Sequence, residues 1–167
     1  VPTVVLSQMR GAPVDQTEVR RLKAKYDARV DETEAKIALL PIVHKFRKEK
    51  GEIFNPQSTQ HVHHVFVNML RRPECEVYDK WKKDTKYSTD ESVLSRIEHP
   101  LARLILDLRR DRKRRSTYVD VMLEGSPLLY PDGCIHYQLN TIFAETGRLT
   151  SDSPNIQNYP KRDDEAV

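Results

Sequence analysis

The most chemically pointed residues of this 167-residue chain are two clusters of cations. Residues 109–115 read Arg-Arg-Asp-Arg-Lys-Arg-Arg, one acid among seven. Lys80, Lys82, Lys83 and Lys86 surround Trp81. Closely spaced cations attract polyanions, of which phosphate esters are the commonest. The competing reading of such a run is a solvated helix face. The net charge of +3 adds little; what matters is where the charge sits.

The other reactive side chains form no catalytic constellation. Cys75 and Cys134 lie far apart, make no CxxC pair and are expected to be reduced structural thiols. His61, His63 and His64 have no carboxylate or cysteine at ligand spacing; His61 and His64 are expected on the polar face of a helix rather than on a metal. Asp163-Asp164-Glu165 reads as a solvated turn, not a cation site. No catalytic residue and no metal ligand is assigned.

The elements that must position the cations follow from periodicity. Asp15 or Thr17 can cap a helix. Behind them Val19, Leu22, Tyr26, Val30, Ile37 and Leu40, with Thr33 in the gap, recur at alternating spacings of three and four. That narrow stripe seals one helix against one partner. Pro41 interrupts it, with a short continuation through Phe46. Ser58 looks like an N-cap for a short amphipathic helix carrying Val62, Val65, Phe66 and Met69, ended by Arg72-Pro73. Residues 74–87 show no period and are expected as a basic loop. Ser88 and Glu91 form a capping-box pattern before Val93, Leu94 and Ile97. Pro100 suits the first turn of the last helix. Its stripe of Leu101, Leu104, Ile105 and Leu108 gives way to the basic run and resumes at Tyr118, Val119 and Met122. Pro131-Asp132-Gly133 marks a turn, and residues 134–139 read as a strand. On composition alone, residues 146–167 are a polar tail or loop. No leader or membrane-crossing run is present, so a soluble, intracellular protein is expected.

That tail nevertheless carries the most specific signal. Thr146-Gly147-Arg148-Leu149-Thr150-Ser151-Asp152-Ser153-Pro154-Asn155-Ile156-Gln157-Asn158-Tyr159-Pro160 resembles the TGRLSSxxPNLQNIP signature of family A (DNA polymerase I-like) polymerases. It departs at Thr150, Ile156 and Tyr159 and in the order Asp-Ser before Pro154. Arg162 matches the arginine just beyond. Phe54-Asn55 with Ser58 resembles the family's FNxxS segment. Thr85-Lys86 and Ser88-Thr89 resemble its lysine and Ser-Thr pair. Arg109, Lys113, Arg115, Thr117 and Tyr118 match its RxxxKxKxTY helix, and His136 and Asn140 the strand leading into TGRL. Five motifs keep their order and approximate spacing over nearly the whole chain.

The resemblance implies a mainly α fold with a small β portion. A long antiparallel helix pair with small tip helices would form the thumb (residues 1–125), followed by the first strands of an incomplete palm (residues 126–167). The Val19–Leu40 stripe would pair with the Leu101–Met122 helix. The implied function is to hold primer-template DNA during template-directed nucleotidyl transfer. Lys86, Arg109, Lys113, Arg115 and the Thr117 hydroxyl would contact phosphates. Arg148, Asn155 and Gln157 would read the minor groove or template side, with Arg162 nearby and Gly147 allowing close backbone approach. Purine N3 and pyrimidine O2 offer acceptors at equivalent places in every correct pair, so one fixed donor can inspect geometry without reading sequence. Without the resemblance, Asn155 after Pro154 reads as a turn residue and Asn158 as a cap.

The family's catalytic aspartates lie further on than residue 167, so the chain alone is expected to be inactive, with Mg2+ and dNTP belonging to the complete polymerase. The remainder of the polymerase, in the same chain or a second subunit, is the expected protein partner. A bacterial or viral-type enzyme in the cytoplasm or another DNA compartment is expected, with no membrane association. The alternatives are a stand-alone basic helical nucleic-acid-binding module and a helical protein-interaction domain.

Overall fold

The computed structural model describes residues 2–79, 84–140, 148–152, 154, 155 and 157. The chain divides into two compact units, residues 26–113 and the paired segments 1–25 and 114–167.

In the continuous unit, the helix α2 (Gln16–Ala38) stops where Pro41 opens α3 (Pro41–Lys50). Gly51, at φ 72°, closes α3 in the left-handed conformation. α6 (Pro100–Arg114) begins on its proline, as expected. Near one end of this helix pair Arg29 meets Asp111; near the other Leu40, Pro41 and Ile42 border His99 and Pro100. The two helices are therefore antiparallel. Val30 and Ile37 of α2 and Leu101, Ile105 and Leu108 of α6 share one buried cluster. Burying a side chain of this size contributes about 1.5–3 kcal/mol, so the seam is the main cohesive element.

The small tip helices pack on the same cluster through Val62, Val65, Phe66, Val93, Leu94 and Ile97. Ser58 caps α4 (Thr59–His63), its Oγ accepting from the His61 amide at 3.4 Å. A π-helical turn follows over His64–Met69, and the chain leaves it through Arg71, a non-glycine residue at φ 49°. Regular helix thus ends before Arg72-Pro73. The Ser88–Glu91 capping box is not formed. α5 (Glu91–Leu94) has Asp90 at its N-cap, and Ser88 Oγ bonds Asp90 Oδ2 at 2.6 Å instead. The stretch 74–87, expected as a loop, contains two antiparallel strands, β2 (Glu76–Asp79) and β3 (Asp84–Tyr87). Their outward faces carry Glu76, Tyr78 and the wholly exposed β3, so no apolar alternation announced them.

In the second unit, α1 (Pro2–Arg10) precedes β1 (Ala12–Pro13), which pairs with β4 (Cys134–Ile135). Gly11 sits at φ 67°, where a Cβ would lie 3.0 Å from Cys134 Cβ and from the Ile135 carbonyl. Only glycine allows this approach. The N-terminal part of α2 starts at its Asp15 cap, whose Oδ1 accepts from Thr17 N at 2.8 Å. Gln16 Nε2 donates to the Met122 carbonyl at 2.8 Å, and Lys23 Nζ lies 3.7 Å from Asp120. After Arg114 the α-helix widens into a π-turn over Arg115–Val119 and tightens over Asp120–Met122. The single strand expected over 134–139 is broken at His136-Tyr137 into β4 and β5 (Gln138–Asn140). β5 pairs with β6 (Thr150–Asp152), a strand within the segment whose composition suggested a tail. Among the described residues no helix is long and apolar enough to cross a membrane.

The lone acid of the basic run points inward. Asp111 is 2% exposed, and Arg29 Nε donates to its Oδ2 at 3.1 Å. Removing one partner of a buried pair leaves the other charge uncompensated. Asp111→Ala should lower unfolding free energy by about 2 kcal/mol or more, with Arg29 partly solvated. Arg29→Leu combined with Asp111→Leu should come within about 1 kcal/mol of the parent. Urea titration checks both; a single variant as stable as the parent would show the pair to be energetically inert.

Candidate nucleic-acid interface

Most cations of residues 109–115 are engaged within the protein. The half-buried Arg109 donates from a guanidinium nitrogen to the Thr89 carbonyl at 3.0 Å, tying α6 to the segment before α5. Desolvation pulls its pKa down, opposed by Asp90 and Glu91. Arg110 pairs with Asp107 one turn back, and Arg112 with Glu34 of α2. Lys113 lies on the exposed face of α6. At 100° per residue it is about 200° from Asp111, so burying the acid turns the lysine outward.

Lys86 stands in β3 opposite Val77, with its Nζ 3.2 Å from Asp79 Oδ2. It is 60% exposed while Asp79 is 14% exposed, so the carboxylate steers the ammonium without enclosing it. Trp81, Lys80, Lys82 and Lys83 lie outside the described residues.

In the other unit, Arg115 and Thr117 share the π-turn. Arg115 Nε lies 3.6 Å from Asp120, and Thr117 is exposed. π-Turns redirect side chains by adding a residue to one turn; no feature of the sequence announced this one. Arg148 is exposed two residues before β6. Asn155 and Gln157 fold over the same strand. The buried Ser151 donates from Oγ to Asn155 Oδ1 at 2.9 Å and accepts from the Gln157 amide at 3.2 Å. Gln157 Nε2 donates to the Leu149 carbonyl at 2.9 Å. These bonds bring Asn155 and Gln157 together on a short turn beside the Arg148 segment. Gly147, Asn158 and Arg162 lie outside the described residues, as does Asp163-Asp164-Glu165.

The histidines differ from expectation. His61 and His64 are half-buried, their rings 5.0 and 5.7 Å from Phe46. Carboxylates absent from their sequence neighbourhood reach them in space: Glu52 lies 3.3 Å from His61 and Glu49 2.9 Å from His64. Asn55 N donates to His61 Nδ1 at 3.0 Å, bonding the FNxxS segment to the next helix. Among the described residues no three His, Cys, Asp or Glu side chains converge to hold a metal ion.

His136 holds unit ends together. One ring nitrogen faces the Gln8 carbonyl at 3.0 Å and the other Asp132 Oδ2 at 2.8 Å. Two acceptors favour the doubly protonated ring, so its pKa is raised, first by the Gln8 carbonyl and then by Asp132. Asp132 is lowered, first by the His136 bond.

The antiparallel helix pair, tip helices and short strands, in this order, are consistent with a helical thumb and the start of a palm in a polymerase domain. The fold matches the solved POL domain of Pol1 from M. smegmatis with a TM-score of 0.65, at 24% identity, over 94% of this chain and 25% of that one. The family model for DNA polymerase family A matches residues 17–167. The chain belongs to DNA polymerase family A. It is 30% identical over 164 residues to DNA polymerase I of Bacillus subtilis (strain 168), covering 95% of this chain and 17% of that protein. It is likewise 30% identical over 165 residues to the thermostable DNA polymerase I of Thermus aquaticus, covering 96% of this chain and 18% of that protein. The chain thus spans less than a fifth of these relatives.

The His136 clamp has a defined pH signature. A raised folded pKa gives stabilisation that is complete below histidine's ordinary value, about 6.5, and lost as pH rises through the folded value. For Asp132, stabilisation is present above its ordinary value and lost as pH falls through its lowered one. The melting-temperature difference between the parent and His136→Ala should therefore be larger at pH 6 than at pH 9. Equal differences would assign the effect to ring packing on Tyr130, 4.8 Å away.

Proposed function

We propose that this segment grips primer-template DNA for a DNA-directed DNA polymerase, residues 1–125 serving as thumb and 126–167 as the start of the palm. The observation that carries the reading is the family A match over residues 17–167, a range that contains the cation and amide positions quoted above. The M. smegmatis relative was solved with DNA primer-template and dNTP, which supports the same ligands here.

Lys86, Lys113 and Arg115 would hold phosphates, with Arg109 at the same helix and the Thr117 hydroxyl as a further donor. Phosphate contacts supply affinity and register without sequence information. Arg148, Asn155 and Gln157 would face the minor groove and template side, joined by Arg162. Their donors would test pair geometry through acceptors common to all correct pairs. The bonds of Ser151 to Asn155 and Gln157 support this by restricting the turn before DNA arrives. No residue is given a catalytic role. Mg2+ would serve the complete polymerase as the charge-stabilising ion of phosphoryl transfer. Among the described residues no three His, Cys, Asp or Glu side chains converge to hold it.

Fluorescence anisotropy on duplexes of equal length and different sequence should give dissociation constants within about two-fold of one another, rising steeply with salt. Lys86→Ala should reduce the log–log salt slope by about 0.9. In a complete polymerase carrying this segment, Arg148→Ala should lower primer extension more than Lys86→Ala does. Equal effects would remove the terminal-pair role, and sharp sequence preference would remove the grip itself.

A further inference from the structure

A group of cations uncommitted to the protein's own acids stands on α3, outside the motifs of the family resemblance. His44, Lys45, Arg47 and Lys48 are all exposed. At 100° per residue they cover about 160° of the helix, opposite the buried Val43 and Phe46. Among the described residues, Lys45, Arg47 and Lys48 form no ion pair, whereas Arg109, Arg110 and Arg112 of α6 each have an internal partner. The acids nearest this helix are held elsewhere: Glu49 by His64, Glu52 by His61, and Glu34 by Arg112. Lys45, Arg47, Lys48 and Lys50 stand against Glu49 and Glu52, a local excess of two positive charges.

A helix dipole rewards cations in the last turn by about 1 kcal/mol at most. It accounts for Arg47, Lys48 and Lys50 but gives Lys45, further in, little. Exposed, unneutralised cations on a rigid helix suit a polyanion with regularly spaced charge. We propose that the α3 face is a second docking surface for the phosphate backbone of nucleic acid, separate from the positions of the grip. The choice of nucleic acid over an anionic membrane rests on the polymerase reading: α3 lacks the apolar exposed stripe that an interfacial helix needs, since its apolar side is packed on Phe54 and the core.

The test uses the full chain and a salt series of duplex-binding measurements. Lys45→Gln/Arg47→Gln/Lys48→Gln should lower the salt slope by about 0.9 for each cation removed, about 2.7 in all. All three side chains are exposed, so far-ultraviolet circular dichroism should not change, and the lost dipole interaction should lower the melting temperature by no more than about 4 °C. A control with the same loss of net charge, Arg10→Gln/Lys36→Gln/Arg96→Gln, should leave the slope near that of the parent. An equal fall in both triple variants would reduce the effect to net charge and overturn the proposal, as would no change in either. Lys86→Gln/Lys113→Gln tests the grip separately: loss there with an unchanged α3 variant sinks the second surface alone, and the reverse pattern sinks the grip alone. Phosphatidylserine vesicles form the last arm. Binding to them that the α3 variant loses, with duplex binding intact, would make the surface one for lipid and overturn the assignment.

Discussion

The structure of the continuous unit depends on the narrow apolar seam between α2 and α6. Val30 and Ile37 against Leu101, Ile105 and Leu108 hold two helices whose other faces are mostly charged. Few apolar residues are spent, and everything else in the unit is mounted on them: the tip helices through Phe66 and Leu94, and α3 through Phe46. Where the stripe stops, at Leu108, the next inward position is Asp111, and Arg29 answers it. The seam thus changes from hydrophobic to ionic without changing helical phase.

That change organises the cations. With Asp111 turned in, helical geometry assigns the neighbours of the run to different duties. Arg112 reaches back to α2, Arg109 reaches sideways to the Thr89 carbonyl, and Lys113 faces out. A stretch that reads as uniform positive charge is therefore a graded set, from structural guanidinium to exposed ammonium. The β5–β6 region follows the same logic with neutral groups, where one buried hydroxyl, that of Ser151, disciplines two exposed amides.

Much of this was legible in the sequence because it depends on period and on strong local signals. The α2 stripe, the Pro41 break, the Asp15 and Ser58 caps and the Pro100 start all follow from short-range rules and all appear. The family motifs supplied the order of elements, which periodicity could not. What stayed hidden depends on contacts remote in sequence. β2 and β3 have no apolar alternation, because they pair at the surface. β6 looked like a tail because it has a ladder partner, β5, rather than a core of its own. The carboxylates on His61 and His64 come from Glu52 and Glu49, brought close only when α3 and α4 pack. The one available hint of Arg29–Asp111 was an acid at the inward phase of a basic helix, three residues after Leu108.

The partition of the chain also bears on the order in which it can assemble. The unit over residues 26–113 is continuous, so its contacts can close as soon as that stretch has been synthesised. The other unit joins residues before 26 to residues after 113; its β1–β4 ladder links Ala12 to Ile135. Closing a loop of that size costs about 2 kcal/mol more in chain entropy than closing one of ten residues. Prior folding of the intervening unit shortens the effective loop and removes much of that cost. The inner segment can thus act as a kinetic scaffold: the bases of α2 and α6 meet after it has closed, and β1 waits until the strand at Cys134 exists to receive Ala12.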